Sequence, residues 1–184
     1  YNADKKSFMD LWLRAYRYIE AAILNEKTTL QSINELGLND PESFTSNHNY
    51  IIETVGKATL EAYTYYANQK ARSLGLQPLK YSLSKDEKET SKMIPLLTDK
   101  FYEAGYGAGR SIMREAGELT DKYPVEDRLD INEILRLCDG NHNVFEIKIL
   151  LDGQMKSGET QLSDVVNAVK ILEEMGYADI RDER

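Results

Sequence analysis

The sequence predicts a mostly α-helical protein: a helical N-terminal region over residues 1–123, then a small module over 124–184 that adds a short strand pair. Three observations support this. Apolar residues recur at three- and four-residue steps along most of the chain. Capping signals and glycines punctuate those stretches. Charge density also steps near Tyr123-Pro124: 17 acidic and 16 basic residues precede Glu126, whereas 14 acidic and 7 basic residues follow from there on.

In order, Phe8, Leu11, Trp12, Ala15, Tyr16, Ile19, Ala22 and Ile23 mark one side of an amphipathic helix. Thr28 or Thr29 is expected to cap a second, shorter helix through Leu30, Ile33 and Leu36, stopped by Gly37. Asn39-Asp40-Pro41 signals a turn, with Pro41 suited to the first position of a further helical turn. A third long helix follows through Ile51, Ile52, Val55, Ala58, Ala62, Tyr63, Tyr66, Ala67 and Leu74, ending at Gly75. Ser84-Lys-Asp-Glu87 is a capping box leading to Met93 and Ile94, where Pro95 should kink the helix or start a new one. Residues Thr98 to Leu119 continue in helical style, but Gly105, Gly107 and Gly109 make the stretch a bent helix, a close helix–helix contact or a loop.

The last third is the most structured text. Asp130-Ile-Asn-Glu133 is a capping box ahead of Ile131, Ile134, Leu135 and Leu137. Cys138-Asp-Gly-Asn-His142 makes a turn, and Asn143-Val-Phe-Glu146 opens a second box and helix. Thr160 or Ser163 starts a third helix, Gly176 sits where a C-cap glycine belongs, and Tyr177-Ala-Asp-Ile180 suggests a closing strand. Three short helices with a strand pair read as a winged-helix-like, helix-turn-helix-like unit. Its core is expected to hold Ile134, Leu137, Phe145 or Ile147, Leu150, Val166, Val169 and Leu172.

Composition narrows the function classes. At 41% hydrophobic residues the chain can pack a core, and its net charge of −8 argues against non-specific polyanion binding. The third helix of the module carries Lys170 but also Asp164, Glu173 and Glu174, with Glu159 at its entry, so a duplex would repel it. No apolar run approaches the roughly 20 residues of a membrane span, and no secretory signal is visible. Beginning at Tyr1 rather than Met, the chain reads as an excised piece or a processed product, and its localisation stays open. Cys138 is the single cysteine, which excludes an intrachain disulfide.

Chemical signatures are sparse. His48 and His142 lie far apart in polar, turn-like settings, without the ligand spacing of a zinc site. Cys138, at a helix C-terminus, sits at the wrong dipole end for a thiolate nucleophile. Gly105-Tyr-Gly107-Ala-Gly109 lacks the strand, spacing and Lys-Ser/Thr of phosphate loops. The expectation is therefore no catalytic residue, no metal and no cofactor. Twelve tyrosines against four phenylalanines form a wet core boundary, a domain interface or, through Tyr16, Tyr18, Tyr65 and Tyr66, a partner surface.

The string Leu135-Arg-Leu-Cys-Asp139-Gly140-Asn-His-Asn-Val144-Phe-Glu-Ile147, followed by Leu162, Val165, Val166, Val169, Leu172, Met175, Gly176 and Tyr177, resembles a small winged-helix module. Such a module ends some bacterial two-zinc aminopeptidase-like proteins, and a related one holds leader peptides of modified natural products. The resemblance spans Asp130 to Ile180 and implies three helices with a strand pair, used for packing or peptide contact. The aminopeptidase zinc ligands have no counterpart in this chain. In the leader-binding group a peptide pairs with an edge strand beside the third helix. That would place Leu162, Val166, Val169 and Tyr177 along the groove, although no strand is evident before Asp130.

The expected role is a non-catalytic accessory or protein-interaction region of a larger bacterial protein, plausibly a peptidase-type hydrolase. Its partner is a protein or peptide, including the rest of its own parent chain, with no nucleic acid and no membrane. Tyr16, Tyr65, Tyr66, Leu162, Val166, Tyr177 and Ile180 are the candidate contact residues. A DNA-binding transcriptional regulator and a peptide-binding module are the alternatives, and an enzymatic site between the two regions is a third.

Overall fold

The computed structural model describes residues 5–33, 41–105, 107–154 and 159–182. The protein is mostly helical with one two-stranded antiparallel sheet. Two compact units divide between Ser82 and Leu83. The sequence boundary near Tyr123 therefore lies within unit 2. The charge step there marks a change in surface, whereas Phe101 and Ile112, which precede it, are buried in the same core as Ile134, Val169 and Leu172.

Unit 1 is a pair of long helices, α1 (Lys5–Ile33) and α2 (Pro41–Ser73), followed by an extended segment. Helix α1 does not stop at Thr28. The Thr28 and Thr29 hydroxyls donate to the carbonyls of Leu24 and Asn25 at 3.0 and 2.9 Å, so they bond back along one continuous helix instead of capping a new one. Gly37 and Asn39-Asp40 lie outside the described residues. Pro41 does occupy a first helical position, and its turn merges with the third predicted helix into α2. Gly75, at φ +66°, ends α2 in a Schellman arrangement: Leu76 N–H donates to Ala71 O (2.9 Å) and Gly75 N–H to Arg72 O (3.0 Å).

The helices run antiparallel. Lys27 pairs with Glu53, Ile23 lies against Gly56, and the Tyr63 hydroxyl donates to Trp12 O. A Cβ at Gly56 would fall 2.7 Å from Ile23 Cδ1, so glycine permits that approach. The unit's buried cluster is small: Trp12, Ala71 and Leu79, with Phe8, Tyr16, Tyr63, Ala67, Leu76 and Tyr81 packed against it. Asn68 clamps the extended segment, its Oδ1 accepting from Leu79 N–H at 2.6 Å.

Unit 2 opens with α3 (Lys85–Thr90), started by the predicted capping box in which Ser84 and Glu87 bond reciprocally. Met93–Leu97 is then a strand, β1, rather than a helix broken by Pro95. It pairs with β2 (Ala178–Asp182) in the register Ile94↔Arg181, Pro95↔Ile180, Leu96↔Asp179. On its other side Gly140 N–H donates to Pro95 O, and Leu97 N–H to Cys138 O. The proline fits because its nitrogen faces the Asp139–Gly140 turn, where no ladder donor is required of it.

Residues 98–122 form α4 (Asp99–Ala104), α5 (Gly109–Glu115) and α6 (Leu119–Lys122). Of the readings of the glycine run, two hold at different residues. Gly105 breaks the helix at φ +84°, and Gly109 is a close contact whose N–H donates to Asn132 Oδ1.

Three helices complete the unit: α7 (Ile131–Leu137), α8 (Val144–Gln154) and α9 (Leu162–Glu174). Asp130 caps α7 through Asn132 N–H, while Glu133 turns to Arg136, so the predicted box is only half made. Asn143 and Glu146 make their box in full. Neither Thr160 nor Ser163 caps α9: Gln161 holds that position without a side-chain bond, and the Thr160 N–H is taken by Asp152 Oδ1. Gly176 closes α9 as Gly75 closes α2, with Tyr177 N–H donating to Leu172 O at 2.8 Å. Lys100 adds its ammonium to the Met175 carbonyl at that helix end, where the dipole favours a cation. Ile134, Ile147, Leu150, Val169 and Leu172 are buried as expected, Phe145 is buried too, and Leu137 and Val166 are half-buried.

Candidate functional site

The seven candidate contact residues separate into two groups. In unit 1, Tyr16 is half-buried: it stacks on Tyr81 with centroids 4.3 Å apart, beside Trp12. Burial, with the nearby Glu20 carboxylate, raises its phenol above the usual value, against the opposing pull of Arg17. Tyr65 and Tyr66 are exposed and meet edge to face at 5.5 Å. Tyr16 and Tyr65 line one open groove of about 720 Å³ between α1 and α2, with Ile23, Leu60 and Lys57.

In unit 2, Leu162, Val166 and Ile180 are half-buried and packed on the core. Tyr177 is 7% exposed and has the Lys100 ammonium 4.3 Å from its ring centroid, so it is a core residue rather than a free contact. The strand missing from the sequence reading is β1, and its presence makes β2 the outer strand of the described sheet. Thr98 N–H donates to Tyr177 O, and the alternation of an antiparallel ladder then makes Leu96 with Asp179 and Ile94 with Arg181 the hydrogen-bonded pairs. The N–H and C=O groups of Ala178 and Ile180 consequently point away from β1. A run of five apolar residues containing proline looked like a helix ending. The signal that could have shown a strand is its shortness between a lysine and a helix-starting threonine.

The Cys138–His142 turn is structural chemistry. The Asp139 carboxylate accepts from Asn141 N–H (2.8 Å) and His142 N–H (3.1 Å), and its Oδ2 lies 3.0 Å from His142 Nδ1. Partial burial alone would raise its pKa, but these hydrogen bonds outweigh it and hold the group at about 2. Cys138 is fully enclosed; burial and the adjacent Asp139 charge push its thiol up to about 12, which leaves no nucleophilic thiolate at neutral pH.

Two further polar features went unread in the sequence. Lys148, buried on α8, bonds Asp152 at 2.6 Å and Glu159 at 3.1 Å, tying the segment before α9 to α8. Its signal is the i,i+4 pair of Lys148, inside the apolar run Val144–Leu151, with Asp152 just after it. A cleft of about 380 Å³ lies beside the Val125–Asn132 segment, bordered by Arg110, Met113 and the paired Glu126 and Arg128. Among the described residues no three His, Cys, Asp or Glu side chains cluster as a metal site would need, and no helix is long and apolar enough to cross a membrane.

On α9, Glu174 is bonded by Lys122 and Tyr123, which lower its pKa, and Lys170 lies over the Tyr123 ring. No protein-family model, curated protein or solved structure matches the chain.

Proposed function

We infer that this chain is a non-catalytic protein-interaction region of a larger protein, in which unit 2 docks an extended peptide segment along β2. The carrying observation is the outer edge of β2. Ile180 offers an outward donor and acceptor there, Ala178 before it being enclosed in the core, and Leu162, Val166 and Ile180 supply half-buried apolar surface in the same unit. A peptide adding to such an edge draws affinity from main-chain bonds and selectivity from alternate side chains. The resemblance of residues 130–180 to the winged-helix module of bacterial two-zinc aminopeptidase-like proteins, and to leader-peptide binders, supports the same role. It also suggests a peptidase-type hydrolase as the parent. Acidic Asp164, Glu173 and Glu174 on α9, with its one lysine beside Tyr123, weigh against a duplex as the partner.

A test uses the geometry of the register. Ile180→Pro removes an outward N–H without touching a β1–β2 bond, whereas the backbone of Asp179 faces β1. Peptides selected from a random linear display library should bind the full chain. They should lose about tenfold in affinity to Ile180→Pro, one net hydrogen bond, and keep it with Asp179→Asn. Selected peptides indifferent to Ile180→Pro, in a protein with unchanged circular dichroism, would remove β2 from the reading. Salt-sensitive duplex binding abolished by Lys170→Glu would replace it with a DNA-binding one.

A further inference from the structure

Helix α2 has two apolar faces, and only one of them is used within unit 1. Thr45, Ile52, Gly56, Leu60, Tyr63, Ala67 and Ala71 are the buried or half-buried set. On another side, Phe44, His48, Ile51, Val55, Ala58, Ala62 and Tyr65 follow one another at steps of 4, 3, 4, 3, 4 and 3, and every one is exposed. Val55 and Tyr65 are 59% and 60% open to solvent. That spacing averages 3.5 residues, the period of a coiled-coil seam rather than of a lone amphipathic helix. The seam spans about 32 Å of helix at 1.5 Å per residue.

We propose that this stripe is a self-pairing seam through which two copies of the chain associate, α2 against α2 in antiparallel orientation, converting two helical hairpins into a four-helix arrangement. Three observations commit the occupant to a second copy. Side-chain volume falls from Phe44 to Ala62: Phe44, His48 and Ile51 come first and Ala58 and Ala62 last, with Tyr65 one step beyond them. A parallel pair would set Phe44 on Phe44 and Tyr65 on Tyr65 and leave a hollow at Ala58 and Ala62 between them. An antiparallel pair instead forms layers of Phe44 with Ala62, His48 with Ala58, and Ile51 with Val55, each occurring twice about a two-fold axis, as an isologous interface requires.

The flanks are the second observation. Ile52, Thr59 and Tyr66 run along one side and Asn47, Thr54, Glu61 and Asn68 along the other, so Glu61 is the one flanking charge and antiparallel pairing brings it near Asn47. Two copies can therefore meet here without like-charge contact. The third is the sparse core of unit 1, whose buried cluster holds one large side chain, Trp12, at its centre beside Ala71 and Leu79. Pairing hairpins is the usual way two-helix units complete such a core. Phe44 is already ordered for this, its ring lying 4.0 Å from that of His48, whose Nδ1 is 2.7 Å from Phe44 O.

The experiment is sedimentation velocity on the full chain at micromolar concentration. A dimer is expected, and Val55→Glu should weaken it about 100-fold or more, because two carboxylates would enter the seam. Helix content should be unchanged, since Val55 is exposed in the single chain. Ala58→Lys, on the same face, is the second variant. Orientation is read by oxidation: a His48→Cys copy mixed with an Ala58→Cys copy should form a mixed disulfide. His48→Cys alone should not, because its thiols would be separated by ten residues of helix, about 15 Å. A monomer, a dimer indifferent to both Val55→Glu and Ala58→Lys, or efficient self-crosslinking of His48→Cys would each overturn the proposal. A monomer whose stripe is protected from hydrogen exchange would point instead to cover by another part of the chain.

Discussion

Unit 2 turns its apolar surface inward, whereas unit 1, with the two longest helices, leaves much of its own outside. Eighteen residues are buried together in the unit 2 core against three in unit 1, among the described residues. Ten of the eleven exposed large hydrophobic side chains belong to unit 1. Helix length is thus a poor guide to autonomy. Short helices α7, α8 and α9 are held by convergence on one core, while a long hairpin has only one face per helix to bury and relies on whatever meets the other.

The largest expected effect tests whether unit 2 stands by its own core. Val169 has no exposed surface, so Val169→Asp should destabilise unit 2 by at least about 4 kcal/mol and unfold it. Trp12, the sole tryptophan, reports unit 1 separately. Its fluorescence should stay native in that variant, and its loss would show the two units to be one cooperative body.

A smaller effect sharpens the picture of the Asp139 turn. Its carboxylate is held at about 2, below the ordinary carboxylate value of 3.8. The stabilisation is therefore present above roughly pH 4 and is lost as pH falls through about 2. Asp139→Asn should destabilise unit 2 by about 1 kcal/mol at neutral pH, and the loss of stability in urea melts between pH 4 and 2 should flatten. An unchanged acid limb would show that other carboxylates govern it. The smallest effect falls on unit 1: Gly75→Ala, at a positive φ, should lower its stability by about 1 kcal/mol in Trp12-monitored urea melts. No loss there would mean the Schellman cap contributes little to α2.

Much of the architecture was readable from residues whose role is local. Ser84 with Glu87, Asn143 with Glu146, Gly75 and Gly176 each act through bonds to neighbours within five positions, and each does in the protein what its motif implies. The misread elements turn on distant partners in one case and on an ambiguous local bond in the other. Met93–Leu97 becomes a strand because β2 and the Asp139 turn flank it, and locally only its shortness between Lys92 and Thr98 hints at that. Thr28 resembles a cap, yet its hydroxyl is satisfied by Leu24 O when the helix simply continues. Of the candidate contacts, Tyr65, Tyr66 and Ile180 remain accessible or half-accessible, whereas Tyr177 is taken up by Lys100 and the core. The 4-3 stripe of α2 is present in the letters, but Ile51, Val55, Ala58 and Ala62 read there as one pattern with Ile52, Tyr63 and Ala67, although two sets of different phase share the helix.

The pairing of β1 with β2 also sets the order in which unit 2 can assemble. These strands lie more than eighty residues apart, so their ladder closes a long loop whose entropy must be overcome before any strand bond forms. During synthesis β1 emerges early and must wait while α4 to α9 follow; Leu97 and Pro95, buried in the finished protein, stay open to water until β2 arrives. For that interval the apolar strand is the segment a chaperone would bind, and the slowest step of refolding should be the docking of β2 onto an already helical unit.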